Sequence, residues 1–490
     1  MRKILFVASE CVPFIKTGGL ADVVGTLPKS FDKGKFDVRV VLPNYLCIPE
    51  KYRKEMIDVT YFSMDVSWRQ QYVGIKQLEL DGITFYFIDN EYYFGGSVPY
   101  GEMYYDIEKF AFFAKAALAI LPVIGFSPDI VHCHDWQAAL VPAYLHAVFN
   151  TNPFYRNMKT IMTIHNLRFQ GVCEIPKMID VSGLPEDIFT SDKMEAYGDA
   201  NMLKGGLVYA DRITTVSETY AREIQMPFYG ENLDGLLRAR NNVLSGIVNG
   251  IDYTEYDPST DKKIFVTYNK KNFQKKKIEN KCALQKELGL PVDSNKFMIG
   301  VVSRLTDQKG FDLIDCVMDA ICDDNTQFVV LGTGEQRYED MLRFYEWIKK
   351  DRVSASIYYS DERAHKIYAA CDAFLMPSAF EPCGLSQLMA LRYGTVPIVR
   401  ETGGLCDTVE AYNEYEGTGT GFRFTNYNAH EMLGCINYAK EVFFTKRNEW
   451  NQIVKRAMEV DFSWQKSAHS YERLYGELII EKDRENGKES

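Results

Sequence analysis

Ile4-Leu5-Phe6-Val7-Ala8 is an unbroken apolar run, and a short stretch later comes Lys16-Thr17-Gly18-Gly19-Leu20-Ala21-Asp22-Val23. An apolar run of that length, closed by a turn with two glycines, reads as a buried strand leading into a helix. The same succession recurs down the first half of the chain. Lys3 to Ala8, Val38 to Leu42, Ile83 to Ile88, Asp129 to His134, Thr160 to His165 and Arg212 to Val216 read as strands, with helical patterns such as Ile107 to Leu121 and Gln137 to Val148 between them. Strand and helix alternating at this spacing imply a parallel sheet covered on both faces. The pattern then restarts. Strands are expected at Phe297 to Ser303, Phe328 to Leu331, Ser354 to Tyr359, Ala373 to Met376 and Val396 to Val399, with helices at Phe311 to Ala320 and Arg337 to Lys349. The fold expected is therefore α/β, with two doubly wound Rossmann-like domains facing a deep cleft. Residues 1–244 form the first and 245–464 the second, and the helical segment 465–490 returns to the first. Ligands of such sheets sit outside the carboxyl ends of the strands, so chemistry is sought in the turns that follow them.

Composition narrows the function. The 490 residues suit two large α/β domains, and a formal net charge of −11 disfavours a nucleic-acid partner, which needs a basic face. Eleven cysteines, an odd count with no Cys-x-x-Cys pair, point to a reducing compartment rather than a disulfide framework or zinc ribbon. The longest apolar stretch, Phe110 to Phe126, carries Lys115 and Pro122 and reads as a buried helix, not a membrane span. Met1 stands two residues before the first strand, leaving no room for a signal or transit peptide, so a bacterial cytoplasm is expected. The lysine-rich stretch Lys262 to Lys281 reads as a solvated helix face, and Asp483 to Ser490 as a frayed polar tail.

The turns carry the chemistry. Glycines between strand and helix let backbone N–H groups approach a phosphate at the helix N-terminus, which suits Gly18 and Gly19, although a tight structural turn would use the same residues. The loop is neither a Walker A sequence nor a dinucleotide fingerprint, and neither unit opens with Gly-x-Gly-x-x-Gly, which speaks against a dehydrogenase. In the second unit Arg304 and Lys309 place two cations at one carboxyl edge, suited to a diphosphate. Glu381, in Pro377-Ser378-Ala379-Phe380-Glu381-Pro382-Cys383-Gly384-Leu385, could accept hydrogen bonds from sugar hydroxyls. Thr402-Gly403-Gly404 repeats the glycine turn, its N–H groups offered to a distal phosphate. His132 and His134, read as alternating on one strand, are assigned to opposite faces and not to one metal site. Cys383 and Cys406 are expected as small buried fillers, and Trp136 as packing rather than a sugar platform.

Six segments in order resemble bacterial glycogen synthases and plant starch synthases. They are Lys16 to Asp22, His134-Asp135-Trp136-Gln137, His165-Asn166-Leu167-Arg168-Phe169-Gln170-Gly171, Asn249-Gly250-Ile251-Asp252, Ser303 to Gly310 and Glu381 to Leu385. The resemblance spans Lys3 to about Trp464. It implies a two-domain B-type glycosyltransferase moving glucose from ADP-glucose, or alternatively UDP-glucose, to the non-reducing end of an α-1,4-glucan such as glycogen, with retention of configuration. By the same resemblance, Lys16 meets the distal phosphate, Asp22 lies on the glucose side, and His165 stands beside the transferred sugar. Asn249 approaches the glucose, Arg304 and Lys309 bind the diphosphate, Glu381 reaches O3 and O4, and Tyr359 stacks the base. Gly18, Gly19, His134, Asp135, Gln137, Asn166, Cys383, Gly384, Leu385, Thr402, Gly403 and Gly404 complete the implied substrate contacts. Four residues depart from the pattern of the family or, for Met389, of related retaining transferases outside the synthase subgroup. Met389 stands where related transferases carry a second Glu, Tyr256 near a usual Trp, and Arg168-Phe169 in place of Ala-Tyr. No cofactor or metal is expected, since two cations and N–H dipoles can offset the leaving group's charge and no Asp-x-Asp motif stands near the site.

Overall fold

Buried β-branched and aromatic runs set the centre of the first sheet, and the computed structural model, which describes residues 1–485 and 487, shows nine strands there. They are β1 (Arg2–Val7), β2 (Phe36–Pro43), β3 (Ile57–Val66), β4 (Arg69–Leu80), β5 (Ile83–Asp89), β6 (Ile130–His134), β7 (Lys159–Ile164), β11 (Arg212–Thr215) and β12 (Leu244–Gly246). A small separate sheet is built from β8 (Val172–Glu174), β9 (Glu195–Ala196) and β10 (Asp199–Asn201). The large sheet runs β12-β11-β7-β6-β1-β2-β5-β4-β3. The order reverses at β1, between β6 and β2, so the crevice for a ligand lies beyond the ends of β1 and β6.

The sheet is not wholly parallel, as the sequence led one to expect. β3 and β4 pair antiparallel, β4 pairs antiparallel with β5, and Val66 opposite Arg69 closes a two-residue turn at Ser67-Trp68. β3 is the outermost strand and almost wholly exposed from Ile57 to Tyr61, so it lacks the continuous apolar run of a doubly covered strand.

The second sheet is entirely parallel: β13 (Phe297–Val302), β14 (Thr326–Leu331), β15 (Val353–Ser356), β16 (Ala373–Met376), β17 (Val396–Arg400) and β18 (Phe422–Phe424), in the order β15-β14-β13-β16-β17-β18. Its order reverses between β13 and β16. β13, β14, β16 and β17 are buried almost throughout, since helices cover both faces.

The chain divides into two compact units. Unit 1 holds Met1–Val216, Ala221–Ile247 and the C-terminal segment from Trp464; unit 2 holds Ser217–Tyr220 and Val248–Ser463. The break sits a few residues beyond the expected 244/245 because β12 pairs in parallel with β11 and keeps Leu244–Gly246 in the first sheet. Ser217–Tyr220 belongs to unit 2 because Ser217 Oγ donates to the Pro382 carbonyl and the Thr219 N–H to Asp407. The C-terminal helix Trp464–Glu485 is packed within unit 1, where Tyr471 and Tyr475 are fully buried and the Tyr475 ring lies 5.5 Å from that of Phe31. Of the expected polar tail, residues 486 and 488–490 lie outside the described residues.

The lysine-rich segment departs from the expected solvated face. In the helix Phe273–Glu287, Lys277 and Lys281 are interior. The Lys277 ammonium donates to the carbonyls of Ala369 and Tyr393 and to Thr395 Oγ1, at 3.0, 3.2 and 2.8 Å, and Lys281 pairs with Asp372 at 2.6 Å. Burial pushes the Lys277 ammonium down to about 7. Full pairing of their donors is what lets these side chains enter the core. Among the described residues no helix is long and apolar enough to cross a membrane.

Candidate active site

In unit 1 the candidate residues leave the sheet at the ends of β1, β6 and β7, adjacent strands around the order reversal. The helix Gly19–Ser30 begins behind Gly18, where a Cβ would meet no atom within 4 Å, so the backbone is open to close approach. Lys16 Nζ pairs with Asp22 Oδ1 at 2.8 Å, and both side chains keep solvent exposure. At Gly18 the structure corrects the expectation for this loop. The N–H groups of Thr17 and Gly18 are not offered outward; both donate to the buried carboxylate of Glu10. Thr17 Oγ1 and Tyr100 OH add two more hydrogen bonds to it, at 2.6 and 2.5 Å.

The histidines also need a correction. His132 and His134 stack with ring centroids 4.3 Å apart, and Phe6 lies against both rings. Residues two apart on a strand share a face, and it is residues one apart that oppose each other. His132 is spent on structure, with Nδ1 2.8 Å from Tyr475 OH and Nε2 2.6 Å from Thr163 Oγ1. His134 Nδ1 lies 3.0 Å from His165 Nε2, so the two rings are in direct contact. Burial pushes His132 and His165 down to about 3 and His134 well below its ordinary value, and all three rings are neutral near pH 7.

Asp135, at φ +56°, accepts the His165 N–H at 2.7 Å and a second backbone bond from Asn166. Burial outweighs those two amides and pushes its carboxyl up to about 7. Asp135 therefore holds the turn that carries His165 and Asn166. Trp136 is core, edge-on to Phe110 at 5.1 Å, and Gln137 beside it is buried, its Oε1 lacking a hydrogen-bond partner among the described residues.

In unit 2 the expected residues converge where the strand order reverses. Arg304 follows β13 and is exposed, with no ion pair to its guanidinium among the described residues. Lys309 ends a short turn, and its Nζ pairs with Glu381 Oε2 at 2.6 Å. Ser378 Oγ donates to the same oxygen at 3.0 Å, while Glu381 Oε1 has no partner among the described residues. Two bonds lock these segments together: the Ala379 N–H to the Gln308 carbonyl at 2.8 Å, and Gln308 Nε2 to the Phe380 carbonyl at 3.2 Å.

Thr402-Gly403-Gly404 also serves Glu381. The Gly404 N–H donates to the Glu381 carbonyl at 3.0 Å, so this amide is not offered to a phosphate as the sequence suggested. The glycines are needed for the approach itself. Gly403 sits at φ +44°, where a Cβ would fall 1.9 Å from the Glu381 carbonyl oxygen, and a Cβ at Gly404 would fall 2.1 Å from that of Cys383. Thr402 is the buried cap residue of the helix Gly403–Thr408. Cys383 is a buried filler whose thiol burial pushes up to about 12, and the Asn249 backbone hydrogen-bonds its sulfur. Cys406 is only half-buried. The Asn249 side chain is buried, with no partner for Oδ1 among the described residues. Gly384, at φ +72°, and Leu385 lead into the helix Ser386–Arg392. Tyr359, between β15 and the helix Asp361–Ala370, is 81% exposed, leaving its ring available for stacking.

One carboxylate–histidine cluster of metal-ligand type occurs among the described residues: Glu255, Asp361 and His365. Lys263 is its cation, 3.0 Å from Glu255 and hydrogen-bonded to Asp361. Sequence reasoning missed Glu10, Tyr100 and Ser378. Glu10 was the findable one, a carboxylate standing just past the end of β1 on the same edge as the glycine loop.

Two doubly wound units, one presenting a cation–carboxylate pair and the other a lysine and a neutral histidine at their carboxyl edges, define the architecture of a two-domain glycosyltransferase. The comparisons give the family. Residues 3–239 match the starch synthase catalytic domain and residues 286–456 the glycosyl transferases group 1 domain. The glycogen synthase of Lachnospira eligens is 67% identical over 98% of this chain and all of its own, and that of Desulforamulus reducens is 50% identical over the same shares. The catalytic domain of starch synthase IV from Arabidopsis thaliana, solved bound to ADP and acarbose, superposes with a TM-score of 0.89 at 31% identity, covering 98% of this chain and 99% of that one. A sucrose-phosphate synthase from Thermosynechococcus elongatus shares the fold, at a TM-score of 0.62 and 16% identity. The chain belongs to the glycogen synthase family, glycosyltransferases that use a nucleotide-sugar donor and a glucan acceptor.

Proposed function

We propose that the chain transfers glucose from ADP-glucose to the non-reducing end of an α-1,4-glucan, with retention of configuration and without metal or cofactor, in a bacterial cytoplasm. The observation that carries this reading is the Lys309–Glu381 pair at the strand reversal of unit 2, with Arg304 exposed in the turn that follows β13. A cation bound to one carboxylate oxygen leaves Oε1 to accept from the O3 and O4 hydroxyls of the glucose, while Lys309 and Arg304 meet the diphosphate. Adenine as the base is supported by the ADP held in the starch synthase IV relative. Tyr359 would stack either adenine or uracil, and UDP-glucose is the alternative donor.

In the proposed step the bond from C1 to the phosphate oxygen breaks, and a bond to the acceptor's 4-oxygen forms on the same face. The acceptor's proton passes to the departing phosphate oxygen. Charge develops on that phosphate, and Lys16, Arg304 and Lys309 are of the type that stabilises it. A double displacement would need a carboxylate facing the anomeric carbon. The carboxylates of the site are otherwise engaged, Asp22 with Lys16, Glu381 with Lys309 and Asp135 with the His165 turn. His165, neutral through burial, and Asn249 orient the sugar rather than exchange protons with it.

The test is transfer of labelled glucose from ADP-glucose and from UDP-glucose to glycogen, with EDTA present, by the wild type and Glu381→Ala. Incorporation from ADP-glucose, insensitive to EDTA and reduced about 100-fold or more in the variant, is expected. Preference for UDP-glucose would overturn the base assignment, and no incorporation from either would overturn the reaction.

A further inference from the structure

The phosphate-type loop of unit 1 already holds an anion supplied by the protein. Glu10 is 3% exposed, and its two oxygens collect four hydrogen bonds, from Thr17 N–H, Thr17 Oγ1, Gly18 N–H and Tyr100 OH. Every one of these donors is neutral. The Tyr100 hydroxyl in turn lies 2.8 Å from Ser9 Oγ. Tyr100 belongs to the segment entering the helix Met103–Val123, which is itself tied down: Gly101 N–H donates to Asp106 at 2.9 Å and Lys109 Nζ to the Pro99 carbonyl at 2.8 Å. Glu10 thus joins two loops and fixes the backbone at the centre of the Lys16–Gly19 turn.

A buried carboxylate in this position has two consequences. Amides that donate to Glu10 cannot at the same time bind a phosphate, and a second anion placed against them would be repelled. Beside the Gly19 amide, the loop offers a phosphate the Lys16 ammonium, which is paired with Asp22 and whose Cα is held one residue before the clamped Thr17. We propose that Glu10 is the positioning residue of this loop, fixing Lys16 against the donor's distal phosphate in place of direct contact by the Thr17 and Gly18 amides; this rests on the transfer reaction proposed above. Glutamine replaces it imperfectly: its oxygen can keep the Thr17 and Gly18 amides, but its NH2 must then donate to Thr17 Oγ1 and Tyr100 OH, whose hydrogens have to turn elsewhere, and the charge that all four donors meet is lost.

The experiment uses the full chain with Glu10→Gln, Tyr100→Phe, Lys16→Met and the double variant Glu10→Gln/Lys16→Met. It reads kcat and donor KM for glucose transfer, and hydrogen exchange of the peptide from Cys11 to Val24. Because the residue acts through orientation, Glu10→Gln is expected to lower kcat about 30-fold or more while donor KM stays within about threefold. In the Lys16→Met background the Glu10 substitution adds no more than about twofold, since both act through one group. Loop amides exchange at least about tenfold faster in Glu10→Gln, and measurably faster in Tyr100→Phe. Additive effects of Glu10→Gln and Lys16→Met, or unchanged exchange in the loop, would overturn the proposal. Should Glu10→Gln fail to fold, Tyr100→Phe decides: kcat and exchange equal to the wild type overturn the clamp, and a several-fold change in both supports it. Should the wild type transfer from no donor, the exchange arm still judges Glu10 while the transfer reading alone falls.

Discussion

Asp135 occupies a left-handed backbone position, accepts two amides and yet carries its charge reluctantly, because burial outweighs the hydrogen bonds. Its carboxyl titrates near 7 in the fold against an ordinary 3.8, so the folded protein prefers it protonated. That preference adds stability below the ordinary value and is lost as pH rises through about 7. Asp135→Asn keeps the acceptor oxygen without the charge. Its stability relative to the wild type is expected to improve by on the order of 1–2 kcal/mol between pH 5 and 8.5, measured by urea unfolding. A pH-independent difference would refute this. At this scale the sequence marks which residues stand at strand ends, Lys16, His165, Arg304 and Glu381 among them. It does not mark whom they touch. Glu10 was overlooked because its importance comes from four donors, one of them Tyr100, far along the chain.

The glycine turns show how one residue type serves opposite ends. At Gly404 a Cβ would strike the Cys383 carbonyl oxygen at 2.1 Å, in the turn that holds the Glu381 segment. Gly434 lies in the helix Ala429–Thr445 with nothing within 4 Å of the same position. Gly404→Ala is expected to cost about 1–3 kcal/mol by forcing the turn and helix apart. Through loss of the amide bond to the Glu381 carbonyl it also slows transfer about tenfold or more. Gly434→Ala is expected to gain about 0.5–1 kcal/mol and leave transfer unchanged, since a helix interior favours alanine. Thermal unfolding together with the transfer assay checks both; equal effects at the two sites would refute the account. The buried strands and the turns after them were legible because their apolar runs are continuous. The β3–β4 hairpin was not, since an exposed edge strand carries no such run and its antiparallel pairing with β5 is decided by the sheet it joins. Lys277 and Lys281 misled for the converse reason: a charged side chain enters the core when carbonyls supplied by distant segments meet every donor.

For the molecule as a whole, the last helix completes the first unit: Tyr475 ties it to His132 at 2.8 Å, and that ring stacks on His134, which meets His165. Tyr475→Phe leaves a buried imidazole nitrogen without its partner and is expected to cost about 1–2 kcal/mol in calorimetry. Truncation before Trp464 uncovers the surface that Tyr471, Tyr475 and Leu478 bury and is expected to abolish a cooperative transition for unit 1. An undisturbed transition in the truncated chain would refute it. The sequence by itself determined two doubly wound units, the edges at which their candidate residues stand, and a family whose motifs run in order over nearly the whole chain. Local patterning suffices for these, since strand burial and turn chemistry are written within a few residues. Tertiary structure alone decided that Lys309 binds Glu381, that His134 supports His165, and that Glu10 occupies the amides an outside phosphate was expected to fill. Those are contacts between segments up to 90 residues apart, and their partners are selected by packing and desolvation, which no local pattern encodes.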